Sequence, residues 1–388
     1  MEFPFYLGML GKKTEVKQPL KNIAWVPCNP EFSKNRMFDL SAARDNAIER
    51  FVESCGLLTR KRFVCNTIDL CDQKSIDVVI FYGISSELRW LIQTVKSNPG
   101  VKLINIPIEP PVVAPMHDEL ILSSMPFDRI LVWNDDLAEK GDPFVKANIG
   151  EAVIHAELIP SVSFHAKKFL CAICSSKLIL HKNGIYEERF RAFEFFSSKP
   201  EGMDLFGVGW EGSTLPFVKA SYRGICATKM DVLRNYKFSI CFENAKGYPG
   251  LITEKIFDCF AAGTVPIYYG APNVQDYIPK ECFIDFQEFR SYEELYQLLT
   301  TMTEVEYQSY LDAVKAFIAT PEYYEFTSKR YAEVVLEQIQ SVINESKLNR
   351  TVLDFKWPLF RIAFSHPVLF LKNLKKCRRF LFDLLMVW

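Results

Sequence analysis

The most informative part of the chain spans residues 236–270 and reads YKFSICFENAKGYPGLITEKIFDCFAAGTVPIYYG. The opening run YKFSICF is mostly apolar and predicts a buried strand. The following loop contains Gly247 and Gly250, which permit tight backbone paths, and Thr253 is placed to cap a helix that Gly263 ends. The run TVPIYYG predicts a second strand, so the stretch has the strand–helix–strand order of a parallel sheet.

Polar side chains surround the turn between this strand and this helix. Glu243 and Asn244 end the apolar strand, and Glu254 and Lys255 fall in the first helical turn. A helix N-terminus offers free N–H groups and the positive end of a dipole, which favour phosphate, and Lys255 adds a full charge. A solvated first turn is the alternative, but an acid that ends an apolar strand needs a polar partner.

Two common phosphate motifs are missing from the sequence. GxxxxGK(S/T) is absent, and no GxGxxG follows the first strand. The glycines of FGVGWEG are not followed directly by a helix signal. The predicted phosphate site is therefore neither a P-loop nor a dinucleotide site.

Strand and helix signals alternate along most of the chain. The first series contains the strand-like runs NIAWVPC, DVVIFYG, VKLINIPIE and FDRILVWN, with helical spacing in SAARDNAIERFVESCG up to Gly56. A second series begins near Lys168 with KFLCAICS, EERFRAFEFFSS and MDLFGVGW. This pattern predicts an α/β fold of two doubly wound, Rossmann-like domains that face each other across a cleft. We expect domains at residues 1–160 and 168–345, a linker around 155–168, and a separate tail at 350–388.

Composition limits the possible classes of protein. The 388 residues are 49% hydrophobic and 24% charged, as in globular chains, and the net charge of −1 gives no case for nucleic-acid binding. The eleven cysteines are scattered, which does not indicate a disulfide framework. Cys171 and Cys174 form a CxxC without the second pair of a zinc site, so a buried strand is favoured over a metal or redox role. These features favour a reducing, cytosolic setting.

The two ends of the sequence bear on location. The segment MEFPFYLGMLGKKTEVK lacks the order of a secretory signal, because an acid precedes its apolar part and the basic residues follow. No run reaches the roughly 20 apolar residues that span a bilayer. The tail mixes apolar residues with a basic cluster and predicts binding to an anionic membrane surface; docking on the protein body is the alternative. We expect a cytoplasmic protein, peripheral on the cytoplasmic face of the membrane. The basic cluster comprises Lys372, Lys375, Lys376, Arg378 and Arg379.

The stretch YKFSICFENAKGYPGLITEKIFDCFAAGTVPIYYGAPNVQDYIP resembles the signature of the α-1,3/1,4-fucosyltransferases, glycosyltransferase family 10. In that family a Tyr-Lys-Phe strand, Phe-Glu-Asn, a short loop, Thr-Glu-Lys, a helix and Val-Pro-Ile/Val occur in this order. Gly-Ala-Pro here departs from the family's Gly-Pro/Ser. The resemblance extends over residues 168–330. It implies a bacterial-type member with a GT-B architecture, an N-terminal acceptor domain, a C-terminal domain for GDP-fucose, and no required cofactor or metal.

The resemblance also implies roles for the donor site. Lys255 and an arginine of the preceding helix would neutralise the diphosphate of GDP-fucose; Arg189 fits this position, and Arg191 is the second choice. Glu254 resembles the acid that binds ribose or sugar hydroxyls. Arg223 could reach phosphate, but an exposed surface role is the favoured interpretation. Further residues that would line this site are Glu243, Asn244, Tyr248 and Thr253.

The catalytic base is expected in the N-terminal half. In the family an acid follows a late strand of that domain, and Glu109 in KLINIPIEPPVVAP stands at the matching place. The two prolines after Glu109 fix its loop, as a base requires, although an ordinary loop carboxylate is the alternative. His117 is the alternate base because it titrates near neutral pH. The run WNDD, from Trp133 to Asp136, is expected to cap a helix N-terminus instead of binding a metal.

Together these features imply an inverting transfer of fucose from GDP-fucose to a glycan hydroxyl. The expected acceptor is an oligosaccharide or lipid-linked glycan that contains GlcNAc, in α-1,3/1,4 linkage, as in lipopolysaccharide O-antigen or protein glycosylation. Another GDP-sugar as donor is the nearest alternative. An inactive, membrane-associated carbohydrate-binding protein is the alternative from a different class, and turnover of a GDP-sugar separates it from an enzyme.

Overall fold

The computed structural model describes residues 20–351 and 354, except residues 28, 46, 84–87, 151 and 153–161. Its first half contains a six-stranded parallel sheet in the order β2-β1-β3-β4-β5-β6. Long-range crossovers of this kind keep all strands parallel and bury both sheet faces. The strands are β1 (Lys21–Val26), β2 (Phe63–Thr67), β3 (Val78–Phe81), β4 (Lys102–Asn105), β5 (Arg129–Val132) and β6 (Phe144–Lys146).

Helices cover both faces of this first sheet. One face packs a cluster that includes Val79, Leu103 and Ile130, and the other packs one that includes Trp25 and Phe51. Burial of these large apolar side chains supplies most of the favourable free energy of folding. The helices of this half are α1 (Glu49–Arg60), α2 (Leu88–Ser97), α3 (Glu119–Ser124) and α4 (Asp135–Ala138).

The second half repeats the architecture with its own six-stranded parallel sheet, in the order β12-β11-β10-β7-β8-β9. The strand β10 is central because its seven residues form the apolar run identified in the sequence. The strands are β7 (Lys168–Ile173), β8 (Asp204–Phe206), β9 (Tyr222–Gly224), β10 (Tyr236–Phe242), β11 (Val265–Tyr269) and β12 (Ile284–Asp285).

The helices of the second half begin and end where local chemistry favours it. α8 ends at Gly263, whose φ of 64° is in the left-handed region that glycine adopts without strain. Thr303 and Glu306 form a reciprocal capping box at the start of α10. The helices are α5 (Tyr186–Ser197), α6 (Pro216–Ser221), α7 (Lys229–Leu233), α8 (Glu254–Ala262), α9 (Tyr292–Thr301), α10 (Glu304–Ile318), α11 (Pro321–Tyr324) and α12 (Ser328–Asn344).

The last helix, α12, returns to the first half of the chain. Its apolar face, which includes Val335, Ile339 and Val342, joins the cluster of Trp25 and Phe51 beneath the first sheet. The predicted domain 168–345 grouped this helix with the second sheet, so the packing differs from the prediction here. Periodicity shows that a helix has an apolar face, but it does not show which sheet that face will cover.

The predicted α/β class with two Rossmann-like domains is confirmed, and most predicted strands appear within a few residues of their runs. The first helix is a correction: it begins at Glu49 and passes through Gly56 to Arg60, because Phe51 and Leu58 are buried on one face. The strands β2, β6 and β9 were not predicted. Most of the predicted linker and nearly all of the tail, with its membrane prediction, lie outside the described residues. Within the described part of the chain, none of the helices combines the length and the apolar character needed to cross a bilayer.

Candidate active site

A cavity of about 250 Å³ lies between the two halves, at the carboxyl ends of β7 and β10. This is where ligands bind in open parallel sheets. We call it the donor-side cavity. Its polar lining comes from the second half of the chain, with Glu109 contributed from the loop after β4. The charged and polar residues of its lining include Glu109, Ser175, Lys177, Tyr186, Arg189, Lys229, Asn244, Glu254, Lys255 and Asp258.

Glu243 lies at the carboxyl end of β10 and is fully buried. Its carboxylate accepts hydrogen bonds from the Thr253 backbone N–H (2.8 Å) and hydroxyl (2.8 Å and 2.9 Å), and from Lys255 Nζ (2.9 Å). The predicted need for a polar partner is thereby met. Glu243 and Thr253, however, are absent from the lining of the donor-side cavity. Glu243 has no exposed surface with which to contact a ligand. Glu243 and Thr253 instead lie next to the cavity wall and hold the side chain of Lys255 in place.

Thr253 occupies the N-cap position of α8, as predicted, but its side chain has a different partner. Its hydroxyl contacts the Glu243 carboxylate, and within the described residues it makes no capping bond to the helix backbone. The first-turn N–H groups of α8 are therefore not occupied by the residue that usually caps them. The start of α8 lies beside the donor-side cavity, because Glu254 and Lys255 of its first turn line that cavity.

Lys255 is a cation held among carboxylates. Its Nζ lies 2.9 Å from Glu243 Oε2, 2.8 Å from Thr253 Oγ1 and 3.9 Å from Glu254 Oε1. Burial acts to lower the pKa of Lys255, but the charges of Glu243 and Glu254 outweigh it and raise the pKa above its ordinary value. About a quarter of the side chain (26%) stays exposed toward the cavity, so the charge is available to a ligand.

Lys229 is a functional candidate that the sequence reasoning missed. Its Nζ lies 3.3 Å from Glu254 Oε1 and 2.7 Å from Asp258 Oδ2, and its backbone N–H donates to Asp45 of the first half (2.9 Å). Burial raises the pKa of Asp258 to about 6, whereas Lys255 and Lys229 overcome burial and lower the pKa of Glu254 to about 2. The i,i+4 spacing of Glu254 and Asp258 puts both acids on one face of α8, where like charges repel. This spacing was the signal in the sequence that a cation such as Lys229 packs against that face.

Arg189 is buried on α5 and reaches the end of β10. Its Nη2 donates to the carbonyls of Phe242 (2.6 Å) and Glu243 (2.7 Å) and to Asn244 Oδ1 (3.0 Å). Its guanidinium carbon lies 5.1 Å from the centre of the Tyr186 ring. All three hydrogen bonds come from one guanidinium nitrogen and hold the side chain of Arg189 rigidly. Arg189 lines the donor-side cavity together with Lys255.

The other two arginines considered from the sequence lie elsewhere. Arg191 is exposed and pairs with Glu188 of its own helix (3.3 Å). Arg223 is exposed and pairs with Asp204 (2.6 Å), in agreement with the surface role predicted for it. Neither lines the donor-side cavity. Arg189 is therefore the arginine in position to meet a diphosphate there.

Glu109 faces the cavity from the first half of the chain. Burial is the main cause that raises the pKa of this carboxyl; the charge of Glu254 acts in the same direction, and Lys255 and Lys177 oppose it. The side chain of Asn244, from the second half of the chain, also acts to lower this pKa. A carboxyl with a raised pKa is a stronger base when it ionises, which suits the role predicted for Glu109.

His117 supports this loop instead of facing the cleft as a free base. Its Nδ1 donates to the Glu109 carbonyl oxygen (2.8 Å), and the ring is buried. Burial lowers the pKa of His117 to about 4, so the ring is neutral at pH 7. Its Nε2 packs against Gly83, where an added Cβ would lie only 3.1 Å away. These contacts correct the proposal of His117 as the alternate base.

Tyr248 lies outside the donor-side cavity. It lines a second cavity of about 230 Å³, in which Glu109 and Trp133 also take part, and its ring meets Trp133 edge-on with centroids 6.2 Å apart. We call this second space the acceptor-side cavity. The position of Tyr248 therefore favours a role in the acceptor-side cavity, and not the donor-binding role that was predicted for it.

The WNDD run and the CxxC contribute to the fold and do not form a metal site among the described residues. Asn134 caps α4 by accepting from the Leu137 N–H (3.3 Å), and Asp135 bonds Lys146, Tyr277 and Asn273, the last two from the second half. Cys171 is buried in β7, and Cys174 lines the donor-side cavity. Among the residues that the structure describes, no group of three or more His, Cys, Asp or Glu side chains is arranged to hold a metal ion.

Two Rossmann-like units with a cavity between them form the GT-B fold. A crystal structure of an α1,3-fucosyltransferase with GDP-fucose has this fold: the TM-score is 0.53 at 15% identity, over 87% of this chain and 95% of that one. Residues 181–355 match the family model for glycosyltransferase family 10 (fucosyltransferase), C-terminal part. This segment is therefore similar to the C-terminal part of glycosyltransferase family 10, as the signature predicted.

Relatives in this family align over short segments. The α-(1,3)-fucosyltransferase FucT of Helicobacter pylori is 45% identical over 67 residues, 17% of this chain and 14% of the relative. Human α-(1,3)-fucosyltransferase 7 is 34% identical over 98 residues, 24% of this chain and 28% of the relative. The matched segments thus span less than a third of either relative's own length. They support similarity to the family and do not identify the acceptor.

Proposed function

We propose that this protein transfers fucose from GDP-fucose to a hydroxyl group of a glycan. The observation that carries the proposal is the pair of cations, Lys255 and Arg189, at the start of α8, with the carboxyl of Glu109 in the same cavity from the first half of the chain. The similarity of residues 181–355 to a fucosyltransferase family and the GDP-fucose complex of a protein with the same fold support GDP-fucose as the donor.

In the proposed mechanism the acceptor oxygen attacks the anomeric carbon of fucose while Glu109 takes the hydroxyl proton. The bond from that carbon to the β-phosphate oxygen breaks, and GDP leaves with the electron pair. Lys255, Arg189 and the start of α8 stabilise the negative charge that grows on the diphosphate. Because these groups supply the positive charge, we propose that the reaction needs no metal ion and continues in EDTA.

Inversion at the anomeric carbon follows from the same arrangement. Glu109 comes from the first half of the chain, and the diphosphate-binding cations come from the second half. A nucleophile activated by Glu109 would approach the sugar from the side opposite the leaving GDP. We therefore propose direct displacement with inversion, and an acceptor sugar seated on the first half.

Release of GDP by the purified chain tests this function, with GDP-fucose as donor and lactose or N-acetyllactosamine as acceptor. We expect turnover that depends on the acceptor and falls by two to three orders of magnitude, about 10²–10³-fold, in Lys255→Ala. Binding of GDP-fucose without turnover would indicate that the natural acceptor is neither of these two sugars. Binding of a different GDP-sugar in place of GDP-fucose would contradict the choice of donor and leave the class of enzyme intact.

A further inference from the structure

The acceptor-side cavity adjoins the donor-side cavity at one residue. Glu109 is the only described residue that lines both of them. A hydroxyl group presented from the acceptor-side cavity therefore meets the same carboxylate that faces the proposed diphosphate site. The chemistry of this second cavity accordingly bears on which sugars can be presented to Glu109.

The lining of the acceptor-side cavity is strongly asymmetric in charge. Among its described residues it has four carboxylates and neither lysine nor arginine. His117 adds no positive charge, because its pKa of about 4 leaves the ring neutral. Lys140 pairs with Glu119 from outside the lining, with 44% of its own side chain exposed. The four carboxylates belong to Glu109, Asp118, Glu119 and Asp136.

The rest of the lining suits a neutral sugar. Pro107, Pro111, Trp133 and Tyr248 form apolar walls beside the carboxylates. Sugar hydroxyls can donate to carboxylate oxygens, while the C–H faces of a sugar ring can pack on apolar and aromatic walls. An anionic substituent at the same place would meet like charges, of which Lys140 offsets only that of Glu119.

Resting on the transfer reaction proposed above, we propose that this cavity selects an uncharged, hydroxyl-rich acceptor sugar and rejects acceptors that carry an anionic group beside the reacting hydroxyl. Two like charges 4 Å apart in water weaken binding about fivefold, and less hydrated pairs weaken it more. Glu119 and Asp136 are exposed at the cavity, and Asp136 is the principal determinant of this selection because Lys140 offsets part of the charge of Glu119. Asp118 contributes less because its carboxylate caps α3 through the Leu120 N–H (3.0 Å).

The test compares matched acceptors with the full chain and GDP-fucose. Each pair consists of a neutral oligosaccharide and the same oligosaccharide with one added sialic acid or sulfate group. We expect kcat/KM to favour the neutral member by about tenfold or more. In Asp136→Asn this ratio should fall by about fivefold, in Glu119→Gln by less because Lys140 already offsets that charge, and in the double variant by most. Glu139→Gln is the control: Glu139 is exposed near the same helix but lies outside the lining, so the ratio should stay unchanged.

Failure of this inference can be distinguished from failure of the proposed function. Equal turnover of both members, or a ratio that the double variant leaves unchanged, would overturn the charge selection while transfer itself stands. If GDP-fucose turns over with neither member, the proposed function fails. Selection is then measured by equilibrium binding of the same pairs with GDP present. Preference for the neutral member supports the inference, and equal or opposite preference overturns it.

Discussion

The two cavities that meet at Glu109 have opposite charge. The described lining of the donor-side cavity includes four cations, whereas that of the acceptor-side cavity has carboxylates without lysine or arginine. A nucleotide sugar carries its negative charge on the diphosphate, and an acceptor glycan needs only hydroxyl groups. In the proposed function, this difference assigns each substrate to its own side and places one carboxyl at the boundary. The four cations are Lys177, Arg189, Lys229 and Lys255.

Glu109→Gln tests the boundary and should have the largest effect. The amide cannot accept the hydroxyl proton, so we expect transfer to the acceptor to fall by about 10²–10⁴-fold. GDP-fucose affinity should change little, because the cations that hold the diphosphate remain. Single-turnover transfer and equilibrium binding of GDP-fucose, measured on the same preparation, separate these two effects.

Two outcomes would contradict this assignment. Transfer that persists within a few-fold of the wild type would remove Glu109 as the base. An equal loss of donor binding and transfer would indicate that the substitution disturbs the loop that His117 holds. Glu139→Gln, a substitution of the same kind at an exposed carboxylate outside the described lining of both cavities, is the matched control for losing a carboxylate without losing the base.

Lys255→Ala tests the donor side, with an expected loss of about 10²–10³-fold in turnover and a weaker affinity for GDP. The substitution also leaves the buried Glu243 without its cation, which should lower the free energy of unfolding by about 3 kcal/mol. Thermal unfolding, GDP binding and turnover are measured together. Lys255→Arg keeps the charge and should recover part of each.

The matched stability control for Lys255→Ala lies in the first half of the chain. Lys102 and Asp128 form a buried ion pair (3.2 Å) that is remote from the described lining of both cavities. Lys102→Ala should therefore destabilise the fold by breaking a buried pair while donor affinity stays unchanged. If it weakens GDP binding as much as Lys255→Ala does, the proposed contact between Lys255 and the diphosphate is wrong.

Local chemistry made much of this predictable from the sequence. The apolar run of β10, the glycine that ends α8, and the acid that ends a strand all follow from short-range rules, and the structure confirms them. The position of Glu109 opposite Lys255 came from the family resemblance. It depends on how the two halves face each other, and no local pattern encodes that.

Residues whose role depends on distant partners were the ones that sequence reasoning missed or misplaced. Lys229 meets Glu254 only because α7 packs beside α8. Tyr248 was expected at the donor, but the loop of Gly250 passes against Trp133 of the first half and carries Tyr248 to the acceptor-side cavity. A histidine ordinarily titrates near neutral pH, which made His117 a candidate base from the sequence. Burial in the fold lowers the pKa of His117 to about 4.

The pH dependence sharpens the comparison further. Burial raises the pKa of Glu109 above its ordinary value of 4.5, and the base acts only when ionised. Activity should therefore fall as pH drops through that raised pKa, by about tenfold per unit below it. A limb of this kind in the rate of transfer, lost in Glu109→Gln, checks the assignment. A limb that persists in Glu109→Gln would belong to another group.

The same shift has a consequence for stability, with the opposite sign. Since the pKa of Glu109 is higher in the folded state, folding favours its protonated form, and the associated stability is lost as pH rises from 4.5 through the raised pKa. At pH 7 the wild type keeps an unfavourably buried charge that Glu109→Gln removes. The variant should therefore unfold at a slightly higher temperature than the wild type at pH 7. A lower unfolding temperature would show that the carboxylate stabilises the fold.

The smallest effect is expected at Lys229, which holds Glu254 without a place of its own in the reaction. Lys229→Met removes the cation between Glu254 and Asp258, so Glu254 loses its orientation and two neighbouring carboxylates lose their shared partner. We expect the KM for GDP-fucose to rise by about tenfold while kcat changes less, because donor hydroxyl binding is disturbed and the base is not. Lys229→Arg should restore most of the affinity. A fall in kcat alone, without recovery in Lys229→Arg, would mean that Lys229 acts on the transition state and belongs with Lys255 and Arg189.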